Sequence, residues 1–422
     1  MANIYQKVKG TQDFYDLDAD KMTELIQTAS NVAKTYNCKH IETPIFELKE
    51  VFEKNTGEET DIVSKEMYTF LDKGNRYITL RPEGTPAVAR FFIENKLYAN
   101  PGLTKFFYYG PMFRYERQQA GRYRQFNQFG IEIYGNSNYL LDVDVIKIAY
   151  DIYKSFNIKN VKLKINSIGN FTSRANYSKA LKEYFAKYID TMCEDCKRRI
   201  NTNPMRILDC KVDSGHEALK NVPNISSYLT DESKEYFKNV LKTLDALKIP
   251  YEVDTNLVRG LDYYTDTVFE FIIESDDEFN GLALGGGGKY AGMINSMCGI
   301  DVPGIGFAIG VERLKAILDK TGYNWKCENK EKPVVIMALD EESKLESMIL
   351  AGKLRDKEIS VEIDYAALSM KSQFKLAERV NAKYIIIIGE EERLTKTYSV
   401  KNTLLKTQEK VKEEDLIEYI RG

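Results

Sequence analysis

The stretch YYGPMFRYERQQAGRYRQFNQFGIEIYG, residues 108–135, reads as two strands joined by a polar loop. Its ends are apolar and aromatic, and its middle carries Arg114, Arg117, Arg122 and Arg124. Strand side chains share a face every second residue, so Arg114 and Glu116 point one way, as do Gln128 and Glu132 on the returning strand. A guanidinium fork suits a planar anion, phosphate or carboxylate. A solvated hairpin with cross-strand ion pairs fits the same residues. The rest of the chain has to decide between these readings.

The chain has 422 residues, 43% hydrophobic and 29% charged, with a net charge of −3. That is ordinary for a globular protein of two or three domains. Contact with a polyanion must come from local patches, because the total charge advertises none. The opening MANIYQKVKGTQDF has no apolar core region, and no run is long and apolar enough to span a bilayer. Six cysteines in a chain of this length do not suggest a disulfide scaffold. A reducing, cytoplasmic setting is expected.

Met22, Leu25, Ile26, Ala29 and Val32 recur at helical spacing and predict a helix over 18–36. A short strand at 39–43 ends before Pro44. Strands follow near 66–71 and 76–81, and a helix starts after Glu83 with Pro86 in its first turn. The segment 105–134 carries three strand-like stretches, followed by a helix near 141–155 and a strand near 160–166. Residues 174–247 are helical and densely charged, and read as an insertion. TVFEFII (267–273) and GLALGGGG (281–288) return to strand patterns, and GIGFAIGVERLKAIL (304–318) runs from strand into helix. KCENKEKP (326–333) reads as a linker. Beyond it strands alternate with helices, which predicts a small α/β domain with a partly parallel sheet. The expected fold is an α+β domain over 1–325, a mostly antiparallel sheet with flanking helices, followed by an α/β domain over 331–422.

There is no GxxxxGK[ST] phosphate loop and no GxGxxG between strand and helix. His40 and His216 are the only histidines, and neither lies in a motif, so a histidine base is not expected. What remains is arginine, acid, tyrosine and glycine. LRPEGT (80–85) sets Glu83 at a strand-to-helix turn, where it could cap the helix or bind a substrate ammonium. LVRGLDYYTDTVFEF (257–271) sets Arg259, Tyr263 and Tyr264 before a strand. LGGGGKY (284–290) either admits a close ligand or is a loop. Cys193, Cys196, Cys210 and His216 could be read as zinc ligands, but their spacing is poor and no bound metal is expected.

Taken in order, these segments resemble the class II aminoacyl-tRNA synthetases, and among them the histidyl-tRNA synthetases. CKHIETPIFE (38–47) is similar to motif 1, GPMFRYERQQAGRYRQFNQFGIEIYG (110–135) to motif 2 and GIGFAIGVERL (304–314) to motif 3. KGTQDF (9–14), LRPEGT, NPMRILDCK (203–211) and the histidine-binding LVRGLDYYTDTVFEF complete a likeness over the whole chain. The resemblance implies a catalytic domain with a helical insertion and a C-terminal anticodon-binding domain. It implies ATP with Mg²⁺, L-histidine and tRNA(His) as substrates, and a homodimer with no membrane attachment. It assigns Arg259 and Arg114 to catalysis. Glu83, Gly84, Thr85, Arg114, Gln128, Glu132, Arg259, Tyr263 and Tyr264 would bind histidine. Arg114, Glu116, Arg122, Phe126 and Arg313 would bind ATP, and Arg117, Gln118 and Gln119 the tRNA acceptor end. Two positions depart from the family pattern. Lys289-Tyr290-Ala291 stands where Arg-Tyr-Asp is usual, and Asn127 stands where His is expected.

Overall fold

The structure, a computed structural model, describes residues 5–57, 60, 62–116, 123–210, 212–329, 331–365 and 369–422. The backbone falls into two compact units, one ending at Trp325 and the other beginning at Lys326.

In the first unit, helix α1 (Leu17–Thr35) buries Met22, Leu25, Ala29 and Ala33 at helical spacing. Strand β1 is only Lys39–His40, because the chain leaves the sheet toward Pro44. A small sheet follows, formed by β2 (Phe46–Leu48), β3 (Thr69–Leu71) and β4 (Tyr77–Leu80) in the order β2-β4-β3. Helix α2 (Glu50–Thr56) lies between β2 and β3. Helix α3 (Thr85–Glu94) carries Pro86 in its first turn, where the missing N–H costs nothing.

The main sheet contains β5 (Thr104–Phe113), β6 (Gln125–Tyr134), β7 (Val161–Ser167), β8 (Tyr251–Val253), β9 (Thr265–Ile273), β10 (Ala283–Tyr290) and β11 (Gly304–Gly310). With β1 it forms eight strands in the order β1-β5-β6-β11-β10-β9-β7-β8. Only the outer pairs, β1–β5 and β7–β8, are parallel. Segment 105–134 therefore supplies two strands among the described residues, not three. Gly110 keeps β5 continuous: at φ +147° it still pairs with Gln128. On β6 the side chains alternate: Phe129, Ile131 and Ile133 are fully buried in the core, while Gln128 and Glu132 share the other face. Helix α4 (Tyr139–Ser155) adds Val145, Ile146, Ile148, Ala149 and Ile152 to the interior.

The segment read from sequence as an insertion, 174–247, corresponds to α5 (Phe171–Phe185), which starts three residues earlier, α6 (Glu194–Thr202) and α7 (Asp231–Ala246), with 3₁₀ turns between α5 and α7. Its core residues Tyr177, Leu181, Phe185 and Ile207 are continuous with Tyr263, Tyr264 and Tyr290. It therefore packs into the first unit rather than standing apart from it. Helices α8 (Met293–Cys298) and α9 (Val311–Lys320) complete this unit.

The second unit holds β12 (Val334–Ala338), α10 (Glu341–Arg355), β13 (Val361–Ile363), α11 (Met370–Arg379), β14 (Tyr384–Ile388), α12 (Glu390–Thr395), β15 (Thr397–Asn402), β16 (Thr407–Lys412) and α13 (Leu416–Arg421). Strand order is β13-β12-β14-β15-β16, the first three parallel and the last two antiparallel. Strand β16 has no counterpart in the sequence reading. It is an edge strand whose only buried residue is Val411, so it has no apolar alternation to read.

Candidate active site

The middle strands of the main sheet, β6, β11, β10 and β9, border a cavity of ≈ 220 Å³. Each neighbouring element contributes by its position. Glu83 and Thr85 come from the start of α3. Arg114 and Glu116 lie just past β5, and Phe126 and Gln128 lie on β6. Arg259, Tyr263 and Tyr264 come from the loop before β9, and Arg313 from the first turn of α9. All of these line the cavity. Residues far apart in the chain thus meet because the sheet order lays β6, β11, β10 and β9 side by side.

One end is acidic. Glu83 accepts hydrogen bonds from Thr56 Oγ1 at 2.8 Å and Tyr263 OH at 2.9 Å. Burial pushes its carboxyl up, while Arg114, Thr56 and Tyr263 pull the other way. Gln128 Oε1 is buried without a protein partner, which suits a ligand N–H. Glu132 lies beneath the cavity and does not line it. Both its oxygens are occupied: Oε1 accepts from Thr85 at 2.5 Å and from Tyr108 at 3.4 Å, and Oε2 accepts from Tyr290. Burial pushes the Glu132 carboxyl up to about 8.

The other end is cationic. Arg114 donates through Nε to the Pro82 carbonyl at 2.9 Å, and its guanidinium lies 5.3 Å from the Phe126 ring centre. Glu116 is a longer-range partner at 3.9 Å. Arg259 pairs with Glu270 on β9, and its Nε is buried without a protein partner. Arg313 donates to the Ala283 carbonyl at 3.0 Å. Asn127 donates to the Glu312 carboxylate from both its backbone and its side chain, at 2.8–2.9 Å. That bond ties β6 to the start of α9.

The glycine run is neither a loop nor spare. It is β10, paired on both sides, and its missing side chains make room for the site. A Cβ on Gly286 would lie 2.7 Å from Arg259 Nη1, and one on Gly288 would lie 2.8 Å from Tyr264 Cδ1. On β11, a Cβ at Gly306 would fall 2.1 Å from Glu132 Oε2. Gly84 serves a similar purpose away from the cavity lining: a Cβ there would meet the Tyr108 ring at 2.2 Å. In the altered triplet, Lys289 pairs with Asp266 at 3.0 Å and Tyr290 bonds Glu132, while Ala291 lies outside the cavity lining.

Arg117, Gln118, Gln119 and Arg122 lie outside the described residues. The sequence reading missed Tyr108, Glu270 and Thr56. Glu270 left a signal, a lone acid inside the apolar run TVFEFII. Tyr108 left none, because an aromatic in a strand looks like core. In the insertion, Cys193, Cys196 and Cys210 converge with Asp213, and His216 is not among them. Its Nδ1 accepts from the Ala218 N–H, and its Nε2 is paired with Thr191 Oγ1, each at 3.1 Å.

Comparison with known proteins settles the family. A model described as histidyl-tRNA synthetase matches residues 10–314. The chain belongs to the histidyl-tRNA synthetase family. A second model, an anticodon binding domain, matches residues 333–422. The histidine–tRNA ligase of Staphylococcus carnosus is 46% identical over 416 residues, 98% of this chain and 97% of the relative. That of Bacillus subtilis strain 168 is 46% identical over 426 residues, 99% of each. The apo histidyl-tRNA synthetase of Staphylococcus aureus superposes with a TM-score of 0.84 at 38% identity, covering 99% of this chain and 100% of that one. As a histidyl-tRNA synthetase family member, the chain has the class II catalytic fold with a C-terminal anticodon-binding domain, and its activity is the charging of tRNA with histidine. Aminoacyl-tRNA synthetases use ATP and Mg²⁺ for this. No helix among the described residues is long and apolar enough to cross a membrane.

Proposed function

We propose that the cavity holds L-histidine between its acidic and cationic ends, and that residues 1–325, with the insertion 174–247, form the catalytic domain. The single observation that carries this is the pair of buried, unpartnered atoms Gln128 Oε1 and Arg259 Nε, on two residues that line one cavity.

Glu83, Thr85 and Gln128 receive the α-amino group, since a buried carboxylate and two oxygen acceptors suit an ammonium. Tyr263 keeps Glu83 in place. A neutral imidazole needs one acceptor and one donor. Tyr264 serves one ring nitrogen, and Glu132 serves the other by exchanging a protein hydroxyl for the imidazole N–H. Apolar amino acids would leave these groups unpaired, which is the strongest form of discrimination. Gly84 admits the close packing of Tyr108.

Histidine's carboxylate attacks the α-phosphorus of Mg·ATP, a P–O bond forms as the bond to pyrophosphate breaks, and histidyl-adenylate results. The nucleophile is already ionised at neutral pH, so no base is needed. Arg114 and Arg259 stabilise the charge that grows on the α-phosphoryl oxygens. Glu116, Phe126 and Arg313 hold the adenine and outer phosphates together with Arg122. The ribose hydroxyl at the tRNA 3′ end then takes the histidyl group and AMP leaves. Arg117, Gln118 and Gln119 meet the acceptor end, and residues 331–422 read the anticodon.

The molecule works as a cytoplasmic homodimer. Exposed apolar residues of the small sheet support the dimer, Phe46, Leu48 and Phe70 on one face and Leu71 and Tyr77 on the other, all at least 46% exposed.

The test is ATP–pyrophosphate exchange with each standard amino acid in turn and no tRNA. Exchange with histidine alone is expected. Exchange with another amino acid, or none from protein that binds histidine, would overturn the assignment.

A further inference from the structure

The insertion contains a set of donors that adenylation chemistry leaves unused. Cys193 caps α6 and Cys196 lies in its first turn. Cys210 and Asp213 follow the 3₁₀ turn Pro204–Ile207. Two pairs with two-residue spacers result, Cys193-x-x-Cys196 and Cys210-x-x-Asp213. Their ligand atoms all lie within 4.8 Å of one another, and all but Cys193 are buried.

The distances fit a shared cation. Tetrahedral zinc with Zn–S bonds of about 2.3 Å sets sulfurs about 3.8 Å apart. The Cys193 and Cys210 sulfurs are 3.7 Å apart. A disulfide would bring them to about 2.05 Å. Backbone donors orient the set: Asp213 N–H points at Cys210 Sγ at 3.5 Å, and Cys193 N–H at Asp213 Oδ2 at 3.1 Å. Such outer hydrogen bonds fix ligand geometry around metals. A three-sulfur, one-oxygen set favours zinc among the common divalent ions.

We infer that Cys193, Cys196, Cys210 and Asp213 form a four-coordinate structural zinc site, contrary to the expectation from sequence. The site braces a wall of the cavity. From it, α6 leads to its C-cap Asn203, whose side chain donates to Asp262 at 2.7 Å, and the following 3₁₀ turn carries Arg206, which donates to the Arg259 carbonyl at 3.2 Å. Asp195, inside the first pair, bonds Lys65 at 3.0 Å. Zinc would therefore hold the loop that presents Arg259 without touching substrate.

The experiment uses the full chain, produced with zinc and kept reduced, and measures metal content by mass spectrometry. About one zinc per chain is expected. Cys196→Ser and Asp213→Ala should lower the content about tenfold or more, while His216→Ala should keep it. Should the cysteine variant not fold, Co²⁺ added to metal-free wild-type protein should give sulfur-to-cobalt charge transfer and tetrahedral d–d bands. Removing zinc should speed amide exchange over residues 257–264. Zinc-free protein with freely reactive thiols, a Cys193–Cys210 disulfide in reduced preparations, or an octahedral cobalt spectrum would each overturn the site. Unchanged exchange over 257–264 would overturn the bracing role.

Discussion

Strands β10 and β14 occupy equivalent places, each inside its sheet with a neighbour on both sides, and their compositions are opposite. The first is ALGGGGKY and the second YIIII. In β14 the side chains are the core: Ile386 and Ile388 are fully buried among Val334, Ile336 and Val400. In β10 the glycines supply no packing, and the ladders to β9 and β11 hold the strand. The volume they vacate is filled by Arg259 and Tyr264. One central strand is built for stability and the other for access, so substitutions in the two should fail in different ways.

The largest effect should come from Arg259→Ala, which empties the space the glycines create. Pyrophosphate exchange should fall about 10²–10³-fold, or about 3–4 kcal/mol of barrier, with melting temperature little changed. Near-normal exchange would mean that the glycine floor serves packing alone. Next, Ile386→Ala should destabilise the C-terminal unit by about 3 kcal/mol, measured by denaturant unfolding. Histidine-dependent exchange should survive it, since adenylation needs no residue of that sheet. Gly286→Ala should cost about 1–3 kcal/mol through overpacking and also lower exchange. Its Cβ would meet both Arg259 Nη1 and the Phe269 carbonyl at 2.7 Å, so a loss of stability with full activity would break the comparison.

The smallest effect is a change of slope. The Glu132 carboxyl is raised from 4.5 to about 8 by burial. The folded state therefore holds a proton that the unfolded state releases. This contribution is fully present below pH 4.5 and lost as pH rises through about 8. The stability of wild type minus that of Glu132→Gln should fall across that window. Asp142, raised to about 7 by burial, is common to both proteins and cancels. A flat difference curve would show that Glu132 stays ionised in the folded protein, bound to its three hydroxyls.

The sequence by itself determined the family and the frame. The order of LRPEGT, the arginine hairpin, LVRGLDYYTDTVFEF and GIGFAIGVERL was legible because each string carries rare combinations of charge, glycine and aromatic residues. The period of α1 and the alternation of Gln128 and Glu132 were legible because apolar faces repeat at fixed spacing. Tertiary structure alone decided the rest. A strand pattern over 281–288 was legible, but that the glycines of β10 make room for Arg259 and Tyr264 was not, since a missing side chain does not show what fills its space. Glu132 is buried under the cavity, which only Tyr108, Tyr290 and Thr85 arriving from other segments could reveal. Edge strand β16, nearly all exposed, bore no apolar mark. Asp213 rather than His216 joins the cysteines because proximity is set by how the turn after Cys210 folds. Periodicity records which face of an element is buried, whereas a site is set by which elements converge, and convergence is a property of the packed chain.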